Sequence, residues 1–195
     1  MKRVLTMQDI SCLGKCSITV ALPVISAMGL ETTILPTALL STHTMFKDFT
    51  FKDLTDQLVP ITNHWKSQDV KFDTIYTGYL GSMEEIQIAK KIIKEFKTKD
   101  TLVFVDPVMG DNGKLYPNFD EEYARENATL CAYADVIVPN ITEACFMTGM
   151  PYKEKYDEAY VLELIERLST FGNFDKWLQN TSTANLTYIY FSLKL

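Results

Sequence analysis

Short apolar runs alternate along the chain with stretches whose apolar residues recur every three or four positions. These two periodicities divide most of the sequence into strands and helices. Residues 4–7 read as a short buried strand, and the polar loop QDISCLGKCS leads from it into a helix over 17–27. Aliphatic and β-branched runs at 32–35 and 38–40 flank Pro36, and 51–65 has helical spacing through Leu54, Leu58, Ile61 and Trp65. Residues 74–77 form the next strand, which ends in Gly78 and Gly81. Ser82 and Glu85 then have the spacing of a capping box for a helix carrying Ile86, Ala89, Ile93 and Phe96 on one face. A strand over 101–106 stops at Pro107, whose ring excludes helical geometry from Asp106 and leaves that residue extended. Beyond it the pattern predicts a helix over 123–133, a strand over 136–138 and a helix opened by Asn140. A long amphipathic helix comes next, capped by Asp157 and running through Leu164, Ile165, Leu168 and Phe171.

Strands alternating with helices predict an α/β fold whose central sheet is mostly parallel and covered on both faces. Ligands of such sheets bind beyond the carboxyl ends of the strands. The 195 residues suit one large domain better than two small ones. All eight glycines and all seven prolines lie at or before Gly172, and residues 173–195 are rich in Asn, Thr and aromatics. A domain over 1–172 and a divergent tail over 173–195 are therefore expected, with strand-like composition at 186–193.

Composition and charge remove several classes of function. The net charge of −6 and the absence of a basic cluster disfavour nucleic-acid binding. The longest apolar stretch, 18–30, is interrupted by Thr19, Pro23, Ser26 and Gly29 and is shorter than the roughly 20 residues a membrane span needs. Asp9 breaks what would be the apolar region of a secretory signal, so a cytoplasmic location is expected. Cysteines stand at 12, 16, 131 and 145 without a Cys-x-x-Cys pair, and the two histidines, His43 and His64, lie far from them. Four free thiols are expected rather than a zinc site.

The candidate chemistry is acidic. Asp106, Asp111, Asn140 and Glu143 each follow a predicted strand, so a parallel sheet would bring them to one rim. Carboxylate and amide oxygens suit Mg²⁺, which is held by one or two carboxylates together with substrate phosphates. Local structure accounts for the same residues in another way: Asp106 and Asp111 flank a turn, and Asn140 and Glu143 have the spacing of an N-cap and its N3 partner. The first loop offers Asp9, Ser11 and Gly14 to a small polar molecule, or a helix entry. His43 and Thr44 read as substrate contacts or turn residues, and Tyr79 as a pocket residue or a core aromatic.

Five segments are informative as a set: Asp9-Ile-Ser, LSTHT at 40–44, TGYLGS at 77–82, DPVMGDNGKLY at 106–116 and VPNITEA at 138–144. In order and spacing they resemble the bacterial vitamin B6 kinases (pyridoxal, pyridoxine and pyridoxamine kinases) of the ribokinase-like superfamily. The resemblance implies a three-layer α/β/α sandwich. It also implies transfer of the γ-phosphoryl group of ATP to the 5′-hydroxymethyl group of a B6 vitamer, in a family that forms homodimers. By the same resemblance Asp9, His43, Thr44 and Tyr79 match the vitamin pocket, and Asp111 and Glu143 the Mg²⁺ and phosphate-water network. Asp106 matches the place where a monovalent cation such as K⁺ and the phosphates are organised, and Asn140 a nucleotide-phosphate contact. DPVMGD with PNxTEA also fits hydroxymethylpyrimidine kinases, but Cys-Leu-Gly-Lys replaces their first glycine-rich loop, so B6 is preferred. The third alternative is a non-catalytic protein that binds the vitamin or pairs with a kinase.

Two departures stand out. The family usually continues His-Thr with glycine, whereas Thr44 is followed by Met45 and Phe46. The resemblance covers about residues 1–172, and the family's Gly-Thr-Gly-Asp turn, which supplies its catalytic aspartate, has no counterpart in the sequence. A truncated, weakly active or inactive kinase is therefore expected, with no catalytic residue assigned.

Overall fold

In the computed structural model, which describes residues 1–171, the first apolar run extends into a longer strand, β1 (Arg3–Ser11). It is followed by α1 (Ile18–Ala27), β2 (Glu31–Leu40), β3 (Phe51–Asp53), α2 (Thr55–Ser67), β4 (Thr74–Thr77), α3 (Met83–Phe96) and β5 (Leu102–Val105). β1 runs parallel to β2 on one side and to β4 on the other, so Thr6 lies opposite Ile34 and Tyr76. Because β2 continues to Leu40, the backbone of β1 stays paired past the apolar run, with Gln8 opposite Pro36 and Ser11 opposite Leu40. Gln8, Asp9, Ile10 and Ser11 therefore end a strand; the loop expected there begins only at Cys12.

Two further expectations change for similar reasons. β2 is one strand across Pro36, not two runs, and the ring that cannot donate sits beside a register shift between Gln8 and Ile10. Residues 51–53, expected to start a helix, instead pair antiparallel with Ala38, Leu39 and Leu40. The helix begins at Thr55, whose N–H donates to the Asp53 carboxylate at 2.7 Å.

The chain forms two compact units. The first is Met1–Phe104, with strand order β3-β2-β1-β4-β5. Its core holds Leu5 and Met7 of β1, Leu35 of β2, Leu58 of α2, Ile75 of β4 and Ile86, Ile92 and Ile93 of α3, all fully or almost fully buried. The apolar face of α3 is thus the one its periodicity predicts.

The second unit begins at Val105, whose carbonyl accepts from Val138 N–H at 3.0 Å. It contains the hairpin strands β6 (Gly110–Asp111) and β7 (Lys114–Leu115), then α4 (Glu121–Cys131), β8 (Val136–Ile137), α5 (Ile141–Thr148) and α6 (Glu158–Leu168). Asp120, Asn140 and Asp157 cap the three helices, each accepting a backbone N–H from three residues on. The fold is α/β with a mostly parallel sheet, as the alternating pattern predicts. No helix among the described residues is long and apolar enough to cross a membrane. The expected tail over 173–195, including 186–193, lies outside the described residues.

Candidate functional site

In the first unit the carboxyl ends of β1 and β4 carry the vitamin-pocket candidates. Asp9 is buried, and its Oδ2 accepts from the Ser11 hydroxyl at 2.9 Å. Tyr79 follows β4, and its backbone carbonyl accepts from Thr37 Oγ1 of β2 at 3.0 Å. Burial, and then the negative charges of Glu85, Asp9 and Asp53, push the Tyr79 phenol up to about 12. The phenol therefore remains protonated at neutral pH, a hydrogen-bond donor near a buried carboxylate acceptor. Gly78 has no room for a side chain, since a Cβ would lie 2.7 Å from Cγ of Gln8.

His43 and Thr44 separate. His43 packs over Gly14, where a Cβ would lie 2.1 Å from the ring and φ is +114°. Its Nδ1 accepts from Met45 N–H at 3.3 Å, and its ring meets Phe46 edge-on at 4.8 Å between centroids. His43 thus joins the Gly14 loop to the segment after β2, and glycine is required at 14 for that approach. Thr44 lies exposed in the turn beside it.

In the second unit Asn140 and Glu143 form a complete capping box at the start of α5. Glu143 N–H donates to Asn140 Oδ1 at 2.9 Å, and Asn140 N–H donates to Glu143 Oε2 at 2.7 Å. The same pair also reaches the segment after Asp106, because Asn140 Nδ2 donates to Gly110 O at 2.9 Å and Met109 N–H donates to Glu143 Oε1 at 3.3 Å. Both the capping reading and the convergence of DPVMGD on PNITEA are therefore realised by the same atoms. Asp106 is buried at the end of β5, whereas Asp111 is exposed, with Oδ1 accepting from Asn112 N–H at 2.8 Å. Burial, followed by the charges of Glu143 and Asp106, pushes the Cys131 thiol well above its ordinary range, so Cys131 remains a buried thiol.

The expected gathering of three carboxylates does not occur: among the described residues no group of three or more His, Cys, Asp and Glu side chains could hold a metal. Glu143 spends each oxygen on a backbone N–H, and Asp111 is exposed at the end of β6, beside the hairpin turn. This donor set fits a hydrated Mg²⁺ completed by phosphate oxygens, since that ion keeps most of its waters and needs only one or two carboxylates.

Two contributors escape the sequence reading. Glu85, 2% exposed, does not close its side of the expected capping box. Ser82 Oγ accepts from Glu85 N–H at 3.2 Å, but the Glu85 carboxylate accepts from Gly81 N–H and from Thr55 Oγ1, the latter at 3.0 Å. Thr142, inside the PNITEA segment, accepts from Gly113 N–H at 2.9 Å and so ties the β6–β7 turn to α5. The motif itself flagged Thr142; Glu85 gave no signal beyond the spacing of a cap.

A family model described as phosphomethylpyrimidine kinase matches residues 16–173. A pyridoxal kinase from Dictyostelium discoideum is 28% identical over 174 residues, which is 85% of this chain and 56% of that protein. A Bacteroides thetaiotaomicron protein described as a phosphomethylpyrimidine kinase, solved with pyridoxal, superposes with a TM-score of 0.84 and 45% identity. The match covers 88% of this chain and 60% of that one. The pyridoxal kinase of Lactobacillus plantarum superposes with a TM-score of 0.81 and 35% identity, over 89% of this chain and 61% of that one. The chain spans about half the length of the curated relatives it matches, as the 56% for the Dictyostelium enzyme illustrates.

Proposed function

Because the chain belongs to the phosphomethylpyrimidine kinase family, we propose that it serves the ATP-dependent phosphorylation of the 5′-hydroxymethyl group of a B6 vitamer: pyridoxal, pyridoxine or pyridoxamine. The observation that carries this reading is an acceptor and a donor at the ends of β1 and β4, the first buried and the second partly exposed. There the Asp9 carboxylate stands near a Tyr79 phenol kept in its protonated form. A hydroxylated pyridine offers both complements. His43 and Thr44 add polar groups from the segment after β2, with Gly14 and Phe46 fixing the His43 ring.

In the second unit Asp111 and Glu143 are the residues that would hold Mg²⁺, which neutralises phosphate charge when bound. Glu143 is preset for this, because two backbone N–H groups fix its carboxylate. Asn140 has both amide atoms engaged, so it acts on the nucleotide phosphates through the Gly110 backbone that it holds. Asp106 faces the same phosphate chemistry, with K⁺ as the monovalent partner. A second copy of the chain covers α1, whose ten residues carry no charge and of which only Ile18 is buried.

Calorimetry with pyridoxal tests the reading. Asp9→Asn and Tyr79→Phe each remove a hydrogen bond to the ligand, and each is expected to weaken binding about tenfold or more. No heat with any B6 vitamer, together with saturable binding of hydroxymethylpyrimidine, would transfer the assignment to the pyrimidine substrate.

A further inference from the structure

We propose that Glu85 is a positioning residue for the vitamin pocket: its carboxylate clamps the Gly81 turn to the start of α2 and thereby fixes where Tyr79 presents its phenol. The inference rests on the vitamin-binding reading above and deepens it. Three observations carry it.

First, the carboxylate joins separate elements. Glu85 sits in the first turn of α3, and it accepts from Gly81 N–H in the turn after β4 and from Thr55 Oγ1 at the start of α2. Second, Tyr79 lies against this clamp. A Cβ built on Gly81 would be 3.5 Å from Glu85 Oε2, from Tyr79 Cε1 and from the Tyr79 hydroxyl, so ring, turn and carboxylate share one small volume. Third, the arrangement is unnecessary for capping. The Ser82 side chain already caps α3, and a buried acid two residues past the helix start is costly unless it has partners to hold.

The charges facing Glu85 are Asp53 from β3 and its neighbour Glu84 in α3, with the Tyr79 phenol on the side of the turn. Burial first, and then these two carboxylates, push Glu85 up to about 7 against the pull of its bonds to Gly81 and Thr55. Above that pH the carboxylate accepts from both donors. Below it the oxygen facing Thr55 carries the proton and donates to that hydroxyl, the other accepts from Gly81 N–H only as a neutral carbonyl, and the charge-assisted hold on the turn that carries Tyr79 is weakened.

The test combines two measurements on the full chain. The amide proton shift of Gly81 is followed by NMR against pH, and the pyridoxal dissociation constant of wild type and Glu85→Gln is measured in the same buffers. Taking the ratio of the two constants cancels the titration of pyridoxal itself. The expected ratio is about tenfold in favour of wild type near pH 8.5 and close to one near pH 5.5, with its midpoint where the Gly81 shift turns over. Thr55→Val removes one donor to the charged form, and it should move both midpoints upward together. A ratio flat with pH, a Gly81 shift that does not titrate, or midpoints that move independently in Thr55→Val overturns the clamp. Absence of pyridoxal binding by wild type at every pH overturns the vitamin reading as well, whereas a flat ratio with normal binding removes the clamp alone.

Discussion

Glu85 loses stability for the fold as it gains charge. Its carboxyl is pushed from the ordinary 4.5 up to about 7, so between those values the folded chain retains a proton that the unfolded chain releases. The favourable contribution of the neutral acid is complete below about pH 4.5 and is lost as pH rises through about 7, an effect of about 3 kcal/mol for this buried group. Glu85→Gln cannot ionise. Its stability relative to wild type should therefore increase from about pH 5 to about pH 8 by that order, as measured by thermal unfolding at each pH. Parallel curves for the two proteins would mean that the acid is already charged at low pH. A variant that folds more stably and binds less well is the pattern expected where a buried charge is kept for function. None of this was legible in the sequence. Ser82 followed three residues later by Glu85 is the signature of a capping box, and only the long-range approach of Thr55 redirects the carboxylate.

At the scale of elements, Asn140 does two jobs that one substitution can separate. Asn140→Ala removes both the α5 cap and the Nδ2 bond to Gly110 O, leaving that carbonyl without its donor. A loss of about 2–3 kcal/mol is expected in denaturant unfolding. Asn140→Ser restores an N-cap oxygen but cannot reach Gly110, so it should recover about 1 kcal/mol. Equal losses for the two variants would mean that the cap contributes nothing. Position 110 admits no side chain, since a Cβ there would lie 2.3 Å from the Lys114 carbonyl, and this close backbone approach lies within the β6–β7 hairpin. Asn140, Asp157 and the face of α3 were readable in advance because their signals are local: a cap three residues from its acceptor, or an apolar stripe with a helical period. Residues 8–11 and 51–53 were misread because partners distant in sequence place them in strands. β2 holds the end of β1, and it also holds the exposed residues of β3, whose own pattern carries no strand signal. The paired residues of β6 and β7 are too few for any periodicity to appear.

At the scale of the whole molecule, the feature that the described fold leaves uncovered is α1. Val20, Val24 and Met28 are 43%, 52% and 70% exposed in a segment without a charged residue, an unusual surface for a chain whose net charge is −6. Two identical α1 surfaces are complementary to each other by composition, and a two-fold contact would pair the same residues on both copies. The overall charge opposes that contact while the local apolar surface favours it, and the two contributions respond differently to salt. Raising ionic strength from about 0.05 M to about 0.5 M shortens the screening length from over 10 Å to a few ångströms and weakens only the repulsion. Self-association measured by sedimentation should therefore strengthen with salt. Val24→Glu should weaken it at least tenfold, about 1.4 kcal/mol, by setting a carboxylate against its own copy in an apolar contact. If Val24→Glu instead leaves the association constant unchanged while Asp9→Asn still weakens pyridoxal binding, α1 is not the face through which the chain pairs, and the vitamin reading stands without it.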